Sequence, residues 1–300
     1  MHRHALMPAR PLRSSLLCML AALAGCDPSG GDGAGGGGGG KADGIGDGEA
    51  LVFDFSDGDA RGVNAIFRDL PEEIHAEYLR RKREGLDLGP VAPLPGPLVD
   101  IDADTTHWML HDGIFPMPDG IGGSGLLVQS TNRSDDMDMY IVVELGPDDG
   151  VAPDTSYDVT FVELALAGDA PVGGGGVGGS PNLGIDGVAT ATDPMPFVVD
   201  ESDHVRHPAG VLTFDNSVEL GSNGTCLSEG AAEVPGLEPC PASPARTIFR
   251  LNEFTLEATI RVTTGADGRF WVMVGGHSGF EGFSAIYYQR VAFRVAPAAP

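Results

Sequence analysis

Hydrophobic and polar residues alternate with a period of two over much of this chain, and Gly, Pro, Asn and Asp interrupt the alternation at short intervals. A period of two turns successive side chains to opposite faces, so the runs read as strands and the interruptions as turns. The first run is Leu51-Val52-Phe53-Asp54-Phe55. From His107 onward the pattern predicts strands over Trp108 to Leu110, Gly125 to Ser130, Met139 to Leu145, Tyr157 to Ala167, Thr247 to Leu251, Phe254 to Thr263, Arg269 to Gly275 and Ala285 to Val295. Thr255 to Val262 alternates cleanly, as a strand with one wet face does.

One segment has a helical signature instead. Pro71 suits a first helical turn, Glu72 and Glu73 suit its positive end, and Arg80 to Arg83 suit its negative end. Glu77 stands one turn before Arg81, Gly85 supplies the stop, and Ile74, Tyr78 and Leu79 give the thin apolar face of a surface helix covering a sheet. A proline-rich loop, Gly89 to Pro97, follows. These elements predict an all-β fold: a jelly-roll-like β-sandwich with one short helix in an N-terminal insertion and long loops.

The N-terminus follows a different pattern. His2, Arg3, Arg10 and Arg13 make a basic start, and Ser15 to Ala24 is apolar but shorter than the roughly 20 residues that a permanent span needs. The run closes on Leu23-Ala24-Gly25-Cys26, which resembles a bacterial lipobox: small residues suit cleavage, and the Cys26 thiol accepts diacylglycerol. Residues 1–25 are thus expected to be a lipoprotein signal peptide and Cys26 the lipidated N-terminus of a protein held on a bilayer. Residues 26–49, with glycine at every position from 35 to 40, lack the surface to offset backbone entropy and read as a flexible tether. Residues 50–297 then form a single β-sandwich domain. Asp27 resembles an inner-membrane retention signal of enteric bacteria, and the choice between inner and outer membrane stays open.

Charge and cysteines narrow the partners. Asp+Glu 43 against Lys+Arg 18 gives a formal net charge of -25, and cleavage removes Arg3, Arg10 and Arg13 but no acid. Such a surface repels polyphosphate, so nucleic acid is not an expected partner. Cys18 leaves with the signal peptide and Cys26 is consumed by lipid, so Cys226 and Cys240 remain to pair as a structural disulfide outside the cytoplasm.

Several polar groups are candidates for chemistry. Asn132, Arg133, Asp135 and Asp136 form a polar turn between two strands; Ser180 and Asn182 close a glycine-rich loop that has no P-loop lysine; His277, Ser278 and Glu281 lie before the last strand. If these loops meet at one end of the sandwich they make a polar binding site. Asp100, Asp102 and Asp104 repeat like the first half of an EF-hand loop, which makes calcium the one cofactor to consider. Thr105 and His111 then break that pattern, so a solvated acidic turn stands beside it. Asp200, Glu201, Asp203, His204 and His207 are a weaker metal set. Trp271, Tyr287 and Tyr288 lie in strand patterns and read as core before they read as sugar-stacking platforms.

The blocks Asn132-Arg133-Ser134-Asp135-Asp136-Met137, Gly176-Val177-Gly178-Gly179-Ser180-Pro181 and His277-Ser278-Gly279-Phe280-Glu281-Gly282 resemble those of a family of exported bacterial lipoproteins without an assigned activity. Gly40-Lys41-Ala42-Asp43-Gly44 is similar to a stretch common after the lipobox in myxobacterial lipoproteins. The resemblance implies a shared β fold and an envelope location, and carries no catalytic residues. Three readings follow: a tethered module that binds carbohydrate or another envelope ligand, a glycoside or ester hydrolase using loop carboxylates such as Glu281, or a structural envelope protein. No nucleophile elbow accompanies Ser278, which favours a binder over an enzyme.

Overall fold

The computed structural model describes Ile45, residues 48–89, Val91, and residues 110–131, 137–168, 170–172, 184–208, 217–222, 224–227, 239, 249–278 and 283–299. In chain order the elements open with β1 (Ala50–Asp54), β2 (Asn64–Arg68), β3 (Leu70–Pro71), α1 (Glu72–Glu84) and β4 (His111–Pro116). There follow β5 (Ser124–Thr131), β6 (Met137–Leu145), β7 (Ser156–Gly168), β8 (Ala170–Val172) and β9 (Gly184–Thr190). Next come β10 (Val198–Val199), β11 (His204–Arg206), β12 (Ser217–Ser222) and β13 (Gly224–Leu227). Three long strands end the chain: β14 (Leu251–Thr263), β15 (Phe270–Ser278) and β16 (Phe283–Pro297).

The order of the first sheet is β14-β7-β16-β5-β4, with β1 also on β16, and that of the second is β12-β9-β15-β6-β2. The topology follows from four antiparallel pairings: β5 with β16, β6 with β15, β7 with β14 and β9 with β12. Early strands thus pair with late ones in nested order, as when one long double ribbon is rolled into two facing sheets. This is the jelly roll that the strand pattern predicts.

The sheets meet through their inward faces. Phe67, Met139, Ile141, Phe161, Leu164, Val272, Val274, Tyr288 and Phe293 belong to one buried cluster. Trp271, Tyr287 and Tyr288 are all buried, which agrees with the core reading of these aromatics. On β14, Ile260 and Val262 are buried while Thr259, Arg261 and Thr263 face water, the one-wet-face pattern expected of it. The wet side is stitched to β7 by Arg261 on Asp158 at 2.8 and 3.0 Å and by the Thr259 and Thr160 hydroxyls at 2.8 Å.

Three local outcomes differ from the pattern or extend it. Thr247 to Leu251 and Phe254 to Thr263 read as two strands, yet Leu251 to Thr263 is continuous, because Asn252 and Glu253 pair regularly with Leu166 and Ala165 of β7; residues 247 and 248 lie outside the described residues. Strand β9 escapes the pattern because glycines dilute it; a Cβ on Gly187 would lie 2.4 Å from the Phe161 ring of the facing sheet, so close inter-sheet packing requires glycine there. Helix α1 runs where expected, with Glu77 bonded to Arg80 and Arg81 and with Gly85 at φ 65 closing it. Its buried residues are His75 and Tyr78, while Ile74 and Leu79 are only partly buried.

Candidate functional site

The strand registers bring the described flanks of the predicted loops to one end of the sandwich. Thr131, which ends β5, pairs with Phe283, which opens β16. In the other sheet Met137 pairs with Ser278, and Asp138 with His277. Strand β9 starts at Gly184, two residues beyond the Asp186–Gly275 pair, and β4 starts at His111, opposite Gln129. Strand β2 ends here too, with Arg68 opposite Asp138. Arg68, Asp138 and His277 therefore occupy one row across three adjacent strands.

Of the predicted site residues, Cys26, Asp100, Asp102, Asp104, Asn132, Arg133, Asp135, Asp136, Ser180, Asn182, Cys240 and Glu281 lie outside the described residues. For Cys226, His277 and Ser278 the backbone alone is described. No group of three or more His, Cys, Asp or Glu residues that could hold a metal ion occurs among the described residues. The Asp200 to His207 segment is used differently. His204 Nδ1 lies 3.1 Å from Asp69, Arg206 bridges Asp69 and Asp200, and His207 Nε2 lies 2.8 Å from the Asp193 carbonyl oxygen. Asp200 also accepts the backbone N–H groups of His204 and Ser202; these bonds, with Arg206, hold its carboxyl below the usual range.

The groups that organise this end were not signalled by any motif. Arg68 is only 3 % exposed although it carries a guanidinium. It donates to the carbonyl oxygens of Phe67, Pro194 and Met195, each at 2.8 Å, and of Pro196 at 3.3 Å. Burial pushes its pKa down to about 10, against the opposing pull of the Asp138 and Asp193 charges. Next in the chain, Asp69 adopts a left-handed φ of 60, tolerated by Asp, and is buried among His204 and Arg206. The only sequence clue is a charged pair, Arg68-Asp69, inside the apolar run from Ile66 to Leu70.

Helix α1 completes the end. The Tyr78 hydroxyl donates to Asp112 Oδ1 at 2.5 Å and Lys82 Nζ meets Asp112 Oδ2 at 2.5 Å, which pins the helix to β4. Burial, and then the Asp112 charge, raise the Tyr78 hydroxyl pKa strongly, so it stays a donor. His75, also on α1, is 4 % exposed; burial and then the Arg68 charge push its pKa down to about 4, so its ring is neutral at pH 7. The buried His111 ring, edge-on to Phe115 at 4.9 Å, is likewise held below its ordinary pKa by burial. This arrangement is a preorganised, charge-stapled platform.

No protein-family model matches the chain, and no curated protein does. Among solved structures, the carbohydrate-binding module TmCBM61 in complex with β-1,4-galactotriose is similar at 12% identity, over 61% of this chain and 81% of that one, with a TM-score of 0.25. A carbohydrate-binding module specific for non-crystalline cellulose, CBM28, is similar at 10% identity, over 61% and 79% of the two chains, also at 0.25. At these TM-scores the likeness carries no functional weight.

Proposed function

We propose that the chain is an exported lipoprotein, cut before Cys26 and lipidated there, whose β-sandwich binds a glycan or another hydroxyl-rich envelope polymer at the end where β5 and β15 finish. The observation that carries this reading is the register: Thr131 beside Phe283, Met137 beside Ser278 and Gly184 close by bracket the three polar segments at one end. By residue type, Asn132, Arg133, Asp135, Asp136, Ser180, Asn182, His277, Ser278 and Glu281 supply the mixed donors and acceptors that sugar hydroxyls need, and His277 and Ser278 stand at the end of β15 rather than on the loop expected for them. The signal-peptide pattern through Leu23-Ala24-Gly25-Cys26 supports the anchor, and the glycine tether supports display away from the bilayer.

A glycan array probed with the Cys26→Ser protein tests the binding. Retention of a neutral glycan class, lost in Arg133→Ala and in Glu281→Gln, is the expected result. Failure of the folded protein to retain any glycan or envelope polysaccharide overturns it, and turnover of a glycoside that Glu281→Gln abolishes replaces it with the hydrolase. Mass spectrometry of the membrane fraction is expected to find diacylglycerol on an N-terminal Cys26; an unmodified mature N-terminus removes the anchor.

A further inference from the structure

Six large hydrophobic side chains are exposed among the described residues, and four of them stand in the stretch from Met195 to Val199: Met195 at 41 %, Phe197 at 42 %, Val198 at 45 % and Val199 at 37 %. Single exposed apolar residues need no explanation, but a contiguous set marks a contact surface. This one is rigidly supported. Arg68 binds the carbonyls of Pro194, Met195 and Pro196, and Asp193 Oδ1 accepts the Met195 N–H at 2.9 Å. The His75 ring meets Phe197 edge-on at 4.5 Å, and Val198 and Val199 pair with Arg206 and Val205 of β11. Two prolines further restrict the backbone. Little ordering remains to be done when a partner arrives, which favours affinity.

Two observations define what fits. Strand β10 is at the edge of the small sheet β10-β11-β3, and no described strand pairs with its other side. An open edge beside exposed apolar side chains accepts a polypeptide strand, through backbone hydrogen bonds and alternate side-chain contacts. The rim is acidic: Asp193, Glu201 and Asp203 are exposed, while the nearby Arg206 is already committed to Asp69 and Asp200. A second copy of a chain with net charge -25 would bring like charge to that rim. We propose that Met195 to Val199 is the docking site for an extended polypeptide segment of another protein, apolar at alternate positions and flanked by Lys or Arg, that adds to the β10 edge.

Selection of a displayed random-peptide library on the Cys26→Ser protein tests this, with Phe197→Ser and Val199→Lys as counter-targets. Recovered peptides are expected to alternate apolar residues between basic flanks. Synthetic copies should lose about tenfold in affinity on either variant, about 1.4 kcal/mol, and should weaken as salt is raised. Val199→Lys leaves the His75–Phe197 contact in place, and an unchanged thermal midpoint in each variant confirms folding. Peptides without this pattern, or equal binding to the variants, overturn the proposal. So does self-association in sedimentation that both variants abolish, which gives the strip to a second copy, or flotation with phosphatidylcholine vesicles that both abolish, which gives it to lipid. Glycan binding is expected to persist in both variants; its loss would merge the strip with the glycan site and overturn a separate role.

Discussion

The two ends of the sandwich are closed by different chemistry. At the end where β6 and β14 finish, the buried groups that tie the turns together are neutral, while the charged contacts, Arg269 on Glu144 and Asp149 on the Gly146 N–H, are exposed or half-buried. The Thr264 hydroxyl donates to the Ala152 carbonyl at 2.8 Å and accepts the Thr155 N–H at 3.0 Å, and the Tyr157 hydroxyl accepts the Ala152 N–H at 2.8 Å. At the opposite end the same task falls to buried or half-buried charge: Arg68 on the 194–196 carbonyls, and Asp69 between His204 and Arg206. Neutral turn networks close a β-sandwich at low desolvation cost, whereas a buried guanidinium carries a large one. The charged end also presents the exposed apolar strip and the flanks of the polar loops. Costly groups are thus concentrated where a surface is held in a shape that folding alone does not require.

Removal of Arg68 should give the largest effect. Arg68→Leu leaves the Pro194 and Met195 carbonyls without their donor and takes away the cation whose charge interacts with Asp138 and Asp193. Urea unfolding should show a loss of about 3–5 kcal/mol, the range for breaking buried charged networks. A loss below about 1 kcal/mol would mean the charged end is dispensable to the fold and would break the comparison.

Acid should act on the same end next. His75 has a folded pKa of about 4 against an ordinary 6.5, because burial and the Arg68 charge oppose its protonation. As pH falls below 6.5 the unfolded chain takes up a proton that the folded chain refuses until about 4. Stability from this group is therefore full above 6.5 and lost progressively down to 4, by at most about 3 kcal/mol. His75→Leu should flatten that part of the stability–pH curve relative to the native chain. Curves of identical slope would show that His75 is already hydrated in the folded state.

The legible and illegible parts of the sequence divide along the same line. Strand patterns at Met139 to Leu145, Tyr157 to Ala167 and Ala285 to Val295 stand out because each buries one or both faces in a large core, and helix α1 is bounded by the local chemistry of Pro71 and Gly85. The nested pairing of β5 with β16 and of β6 with β15 joins residues more than a hundred positions apart, which no local pattern encodes. Strand β9 is hidden because the residue Phe161 needs opposite it is a glycine. Arg68 reads as an ordinary surface charge until β2 is seen to carry it beneath the 194–196 carbonyls. The polar segments are legible by residue type and spacing, and of them the structure describes only the flanks, which share an end; the apolar strip is not legible, since five residues containing a proline show neither period.

The smallest effect is expected at the neutral end, and it sets the scale for the rest. Thr264 is 3 % exposed, and Thr264→Val keeps its shape while removing the hydroxyl that serves both Ala152 and Thr155. The Thr264 backbone N–H still bonds the Thr155 carbonyl at 3.0 Å, so the turn should persist with the half-buried Thr155 N–H and the carbonyl of the exposed Ala152 less well satisfied. That costs about 1 kcal/mol. Thr264→Ser, which restores the hydroxyl, should recover most of it in the same urea titration. Peptide and glycan binding at the far end should be unchanged in both variants, because the neutral network touches neither the apolar strip nor the loop flanks. If Thr264→Val costs as much as Arg68→Leu, or alters binding at the opposite end, the two ends are coupled through the sheets and their chemical difference is not a division of labour.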